Sequence, residues 1–246
     1  MAKVDRCPSG IDGFDALISG GFPRNRSIMI SGGCGTGKTS FAIEFLLNGI
    51  SKFGETGVFV ALEQNPKLLR LDALTMGYDL EKFEREGKLR IIDGSLCRRG
   101  EDAIVASRAS SSIPVVTLPE KFTIAEMTKQ VIDVARQINA RRVVIDSVTS
   151  IDEVLCGGSE IRQIILDLNY ALQDAELTSL LVFDTLSDEQ TVSKQGVEEY
   201  VSDGVVLLKA NEALDTRTIR IKKLRGTKHT LKPNIFEMTP AGIKIR

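Results

Sequence analysis

The octet Gly32-Gly33-Cys34-Gly35-Thr36-Gly37-Lys38-Thr39 follows an apolar run, Ser27-Ile28-Met29-Ile30-Ser31, and precedes a segment with helical spacing. It matches G-x-x-x-x-G-K-[ST] in the context that motif needs, a strand entering a glycine-rich turn that opens a helix. Without Cβ atoms, Gly33, Gly35 and Gly37 let backbone N–H groups curl around a phosphate. Thr36 and Ser40 belong to the same cradle, Lys38 reaches the terminal phosphates, and the Thr39 hydroxyl is placed to ligate Mg²⁺. The helix opening at Lys38 points its positive end at the same anion. Such a segment is hard to place outside an α/β sheet with helices packed on it.

The rest of the pattern agrees. Positions 38–52 carry Phe41, Ile43, Phe45, Leu46, Leu47 and Ile50 on one helical face, and 57–62 read as a second buried strand. Asn65-Pro66 is an N-cap followed by proline at the first helical position, which predicts a helix to about Met76. Asp79 caps a short helix ending near Gly87, and 88–93 form a third strand. Thr123-Ile124-Ala125-Glu126 is a capping box that opens a helix to about Asn139. An apolar strand, 142–146, ends in Asp146. Ser159 caps a helix with Ile161, Ile164, Ile165, Leu168 and Leu172 on one face, and 178–184 form another strand. From Ser202 the pattern changes to strands alone: 204–209, 216–224, 233–238 and 242–245.

Strand–helix alternation up to position 184 predicts an α/β fold with a mostly parallel twisted sheet covered on both faces. The tail, 203–246, is expected to be an antiparallel β extension packed on one edge. Residues 94–119, with Pro114, Pro119 and a serine run, read as a surface insertion or mobile loop. No linker divides the chain, so 1–246 is expected to form one domain.

Composition removes several classes. Among 246 residues, 42% are apolar and 26% charged, which excludes a disordered or fibrous chain. The start lacks a signal-peptide core, and no apolar run is long enough to span a membrane. The four cysteines, Cys7, Cys34, Cys97 and Cys156, form no Cys-x-x-Cys, so a cytoplasmic setting is expected. A net charge of -1 gives no general attraction to nucleic acid.

Four further features bear on chemistry. Asp146, ending an apolar strand, is the expected carboxylate partner of Thr39 in holding Mg²⁺. Glu63, just past strand 57–62, is placed to orient or deprotonate water. Asp184, at the end of strand 178–184, is a weaker candidate for a polar sensor of the γ-phosphate. The segment 209–232 is strongly basic, with eight Lys and Arg residues against Glu212 and Asp215. In it, Lys223 and Arg225 are two apart and would share a strand face, which suits a paired clamp on one anion. The lone histidine, His229, reads on chemistry alone as a loop hydrogen-bonder. Cys34 lies within the phosphate loop, where redox control is conceivable and a tolerated small residue is the simpler reading.

These motifs, with Ser9-Gly10-Ile11-Asp12-Gly13-Phe14-Asp15-Ala16-Leu17, Gly20-Gly21, the run Arg141 to Ser150, Gly196 to Asp203 and Lys223-Leu224-Arg225-Gly226-Thr227-Lys228-His229, resemble a single KaiC-type ATPase domain of the RecA superfamily. The resemblance runs over nearly the whole chain and is closest to the half of that family's double-domain members that is not phosphorylated. It implies a RecA-like core in a homo-oligomeric ring, expected to be a hexamer, with ATP between subunits. It also implies that Lys223, Leu224, Arg225, Thr227 and His229 act on a neighbour's nucleotide, with Lys223 and Arg225 at the γ-phosphate. A cation lent in this way offsets charge on the phosphoryl oxygens.

The chain departs from the pattern in places. Glu63 is followed by Gln64 where the family has two adjacent carboxylates. Glu63 still stands where water would be activated, so slow ATP hydrolysis is expected; the phosphorylated Ser-Thr pair falls opposite Glu199-Tyr200, so autokinase activity is not. There is one domain rather than two, and 94–119 is longer than usual. The favoured reading is a Mg-dependent ATPase that serves as a regulatory or assembly switch, with an unidentified protein partner allowed for. One alternative is a recombinase paralogue coupling ATP to DNA through loops 151–158 and 185–196. Those loops hold Lys194 against Asp152, Glu153, Asp188 and Glu189, the wrong sign for a phosphate backbone. The other is a nucleotide-gated scaffold with negligible turnover.

Overall fold

The computed structural model describes residues 4–95, 116–119, 121–149, 161–185 and 201–246. Among them lies a ten-stranded sheet. Its centre is parallel and is built from β3 (Ser27–Gly32), β4 (Gly57–Ala61), β5 (Leu89–Asp93), β7 (Arg142–Asp146) and β8 (Thr178–Asp184). β6 (Val116–Thr117) adds a parallel edge beside β5, so the end of the predicted irregular insertion is a short strand. The rest of that insertion lies almost wholly outside the described residues. A separate ribbon pairs β1 (Arg6–Cys7) with β2 (Phe22–Pro23).

The helices follow their signals closely. α1 (Phe14–Leu17) is a single turn, and α2 (Lys38–Phe53) follows the glycine loop. α3 (Pro66–Thr75) is capped by Asn65, whose side chain accepts from the Lys67 N–H. α4 (Leu80–Arg85) is capped by Asp79, and α5 (Ile124–Gln137) opens with the full Thr123–Glu126 capping box. α6 spans Ile161–Asp174; its predicted cap, Ser159, lies outside the described residues.

Alternation along the strands sends side chains to two cores. Ile28, Ile30, Phe59, Ala61, Leu180 and Val182 face the cluster that contains Phe14, Phe41 and Phe45. Met29, Val58, Val60, Leu181 and Phe183 face the other, with Met127, Val131, Leu168 and Leu172 of α5 and α6.

One expectation needs correcting. The first strand of the tail, β9 (Gly204–Asn211), runs parallel to β3, with Ile28 opposite Gly204 and Gly32 opposite Leu208. The tail therefore begins by extending the parallel block. It turns antiparallel only at β10 (Thr216–Leu224), followed by β11 (Asn234–Thr239) and β12 (Gly242–Ile245) at the edge. A change from helices to strands in the sequence does not fix strand direction, because direction depends on where the preceding connection crosses the sheet.

Candidate functional site

Parallel register brings the candidate residues to one sheet edge. Gly32 pairs with Asp184, and Ala61 pairs with Asp146, so the phosphate loop, both aspartates and the Glu63 turn all leave the carboxyl ends of neighbouring strands. This is where ligands bind in open α/β sheets.

The loop depends on glycine for two separate reasons. A Cβ on Gly32 would lie 2.5 Å from the Leu208 carbonyl oxygen, so β9 can approach only a bare backbone. Gly37, the N-cap of α2, has φ of 98°, in the left-handed region that favours glycine. Thr36 Oγ1 donates to the Gly33 carbonyl at 2.8 Å and tightens the turn. Ser40 is buried, and its hydroxyl donates to Met76 Sδ at 3.5 Å. What Ser40 offers a phosphate is therefore its backbone N–H, one of the donors left unpaired at a helix start.

The Thr39 hydroxyl donates to Asp146 Oδ2 at 2.8 Å. Burial pushes the Asp146 carboxyl up to about 6; the Thr39 hydrogen bond opposes this, and neighbouring Asp184 and Glu63 add to it. A hydroxyl and a carboxylate side by side are the hard oxygen donors Mg²⁺ prefers. Among the described residues no three His, Cys, Asp or Glu side chains gather tightly enough to hold an ion by themselves. The donor set fits Mg²⁺ that arrives with phosphate and water ligands, rather than an ion caged by protein.

Lys38 is nearly buried, and its ammonium donates to the Gly33 carbonyl at 2.7 Å and meets Asp184 Oδ1 at 2.9 Å. The other Asp184 oxygen accepts from Ser147 Oγ at 2.9 Å, and the Asp184 backbone N–H donates to Thr149 Oγ1 at 2.8 Å. An ionised carboxylate has no proton to give a phosphate oxygen. Asp184 therefore acts in the structure as the partner of Lys38.

Glu63 is exposed and lines a cavity of about 410 Å³ with Thr39, Ala61, Asn65, Leu68 and Asp146. Gln64 lines the same cavity, and its amide donates to Asp72 on α3. Glu63 is thus the carboxylate of this turn that faces the cavity.

The later part of the basic segment, from Lys223 to His229, lies elsewhere. Leu224 pairs with Gly204, which pairs with Ile28, the far end of β3 from Gly32. Four residues of strand, at about 3.3 Å each, separate the two levels by roughly 13 Å, and two strand spacings are added sideways. Lys223 Nζ donates to the Ser202 carbonyl at 2.7 Å, and Arg225 Nη1 lies 3.5 Å from Asp203 Oδ1. Thr227 Oγ1 accepts from Arg6, and His229 Nδ1 lies 3.0 Å from the Thr227 carbonyl oxygen. The Leu224 side chain is buried in the chain's own core, and its carbonyl accepts from the Thr227 N–H at 3.3 Å. The shared-face argument for Lys223 and Arg225 does not apply. β10 has a bulge between Ile221 and Lys223, and it ends at Leu224, one residue before Arg225.

The sequence reading passed over three neighbours of the loop. Arg217 Nε donates to the Gly35 carbonyl at 3.4 Å, and Met238 and Phe236 of β11 pack beside Gly37. Arg217 counted only as part of a basic run, and nothing local marks the other two. The loops weighed for DNA, 151–158 and 185–196, lie outside the described residues apart from Thr185. Among the described residues no helix is long and apolar enough to cross a membrane.

Comparison with known proteins places the chain. Residues 7–246 match a family model described as "ATPase: KaiC". The chain is 34% identical over 230 residues to the circadian clock oscillator protein KaiC of Thermostichus vulcanus, covering 93% of this chain and 42% of that protein. It thus spans less than half the length of that relative. A "UPF0273 protein" of Aeropyrum pernix is 35% identical over 243 residues, covering 98% of this chain and 93% of the relative. The crystal structure of a KaiC-like protein from Pyrococcus horikoshii OT3 superposes with a TM-score of 0.82 at 35% identity, covering 99% of this chain and all of that one. The RecA-like α/β core, the phosphate loop and these matches agree: the chain belongs to the KaiC family of ATPases.

Proposed function

We propose that copies of this chain form a ring, with six expected, in which ATP and Mg²⁺ bind at each junction and slow hydrolysis sets the ring's conformation or assembly. One copy supplies the loop from Gly33 to Ser40, with Thr39 and Asp146 for the ion and Glu63 for water. The next copy supplies Lys223 and Arg225, with Leu224, Thr227 and His229 around the nucleotide. When bound, Mg²⁺ offsets charge on the phosphate oxygens. Lys38 orients the terminal phosphates, Glu63 orients the attacking water and takes up its proton, and the neighbour's cations balance the charge that develops.

The observation that carries this reading is the distance between the two halves. The Lys223–His229 segment sits at the opposite end of the sheet from its own phosphate loop, so a contribution from it must go to another copy. The single carboxylate of the Glu63-Gln64 turn favours water over a protein hydroxyl as acceptor, so autokinase activity is not expected.

A mixing experiment tests the shared site. Lys38→Ala and Arg225→Ala chains, each inactive alone, are expected to regain ATPase activity when mixed, because some junctions then pair an intact loop with an intact cation. Exchange between labelled subunits without any recovery would overturn the shared site.

A further inference from the structure

The ammonium that must meet a phosphate is already neutralised. Lys38 Nζ is shared between Asp184 Oδ1 at 2.9 Å and the Gly33 carbonyl at 2.7 Å. Asp184 is itself fixed, by Ser147 on its second oxygen and by Thr149 on its backbone N–H. Among the described contacts Asp184 is the carboxylate that meets Lys38, so without it the ammonium would keep only the Gly33 carbonyl.

We propose that Asp184 is a counter-charge on Lys38 that makes polyphosphate binding depend on an accompanying divalent cation. A bare polyphosphate must displace Asp184 from Lys38 and then lie beside an uncompensated carboxylate. A polyphosphate that arrives with Mg²⁺ brings charge to offset it. Asp184 is a positioning residue in this scheme, since it touches Lys38 rather than the reacting atoms. The proposal rests on the phosphate loop binding ATP and is independent of ring formation.

The test is a titration of a fluorescent ATP analogue into the full chain, in excess magnesium and in excess EDTA. Asp184→Asn and Asp184→Thr, two neutral replacements of different size, are expected to bind the magnesium-free analogue about tenfold more tightly than the unaltered protein. That is near the solvent-screened end of the range for one unit charge a few Å away, as suits a carboxylate that is 38% exposed. With magnesium the change should stay within about threefold, because the ion already offsets that charge. Asp184→Glu, which keeps the charge, should restore the weak magnesium-free binding, a recovery that a merely structural role would not give. Equal magnesium-free affinity in the unaltered protein and a folded neutral variant would overturn the proposal. If the unaltered protein bound no analogue even with magnesium, the reading of the loop would fall, and this inference with it.

Discussion

The wholly buried guanidinium of Arg142 meets the Glu55 carboxylate at 2.7 Å, at the end of the sheet away from the phosphate loop. Arg142 also donates to the Phe45 carbonyl and lies 4.6 Å from the centre of the Phe45 ring, while Glu55 takes a second arginine, Arg24. The pair ties the end of α2 to the start of β7.

This pairing predicts acid sensitivity. Burial works against the Glu55 charge, but Arg142 and Arg24 outweigh it and hold the carboxyl below its ordinary value of 4.5. A depressed carboxylate contributes stability that is complete above the unfolded value and is lost as pH falls through the folded one. Thermal stability should therefore start to fall once pH drops below about 4.5, the unfolded value, and go on falling until the folded-state carboxyl takes up its proton at lower pH. Glu55→Gln should cost about 3 kcal/mol at neutral pH, since Arg142 keeps its buried charge without a counter-ion. The variant should also show a flatter acid limb. An unchanged acid limb would show that Glu55 does not govern it.

A second prediction concerns Gly49. A Cβ there would lie 2.5 Å from both Cδ and Nε of Arg142. Although alanine favours helices, Gly49→Ala should destabilise by about 2 kcal/mol, because the guanidinium must give way in a packed core. Chemical denaturation gives the value. Gly54→Ala, which meets nothing within 4 Å but has φ of 68°, serves as a comparison limited to backbone strain.

For catalysis, Glu63→Gln should lower the turnover number by about a hundredfold or more, the usual contribution of a general base. Affinity for magnesium–ATP should change little, since among the described residues Lys38 pairs with Asp184 and Thr39 with Asp146 rather than with Glu63. A variant that hydrolysed at the original rate would remove Glu63 from the chemistry and favour another water-orienting group.

Cysteine chemistry offers an independent reading of the loop. Cys34 is exposed on it, whereas Cys7 is buried, and burial pushes the Cys7 thiol up to about 11. At about pH 8 an alkylating reagent should modify Cys34 and spare Cys7, which has almost no thiolate there. ATP with magnesium should slow the Cys34 reaction, followed by peptide mass spectrometry. Equal rates with and without nucleotide would place the phosphates away from Cys34.

What the sequence made legible was local. The Thr123 capping box, the Asn65-Pro66 start and the glycine loop each depend on residues within one turn, and each appears where the pattern puts it. Asp146 beside Thr39 was legible too, because an apolar strand ending in a carboxylate can be read without knowing its neighbours. The direction of β9 was not legible, nor was the contact of Asp184 with Lys38, which depends on Gly32 pairing with Asp184 across 152 positions. The end of β10 at Leu224, which leaves Arg225 off the strand that carries Lys223, makes no mark in a basic run.

The placement of β9 has a consequence for shortened versions of this protein. It covers the flank of β3 left open by β8, so the tail completes the middle of the sheet rather than decorating its rim. A product ending near Asp184 would leave the backbone donors and acceptors of β3 bare along one side, a template for any passing extended segment. Proteolytic loss of the last sixty or so residues should therefore yield precipitate rather than a smaller working enzyme.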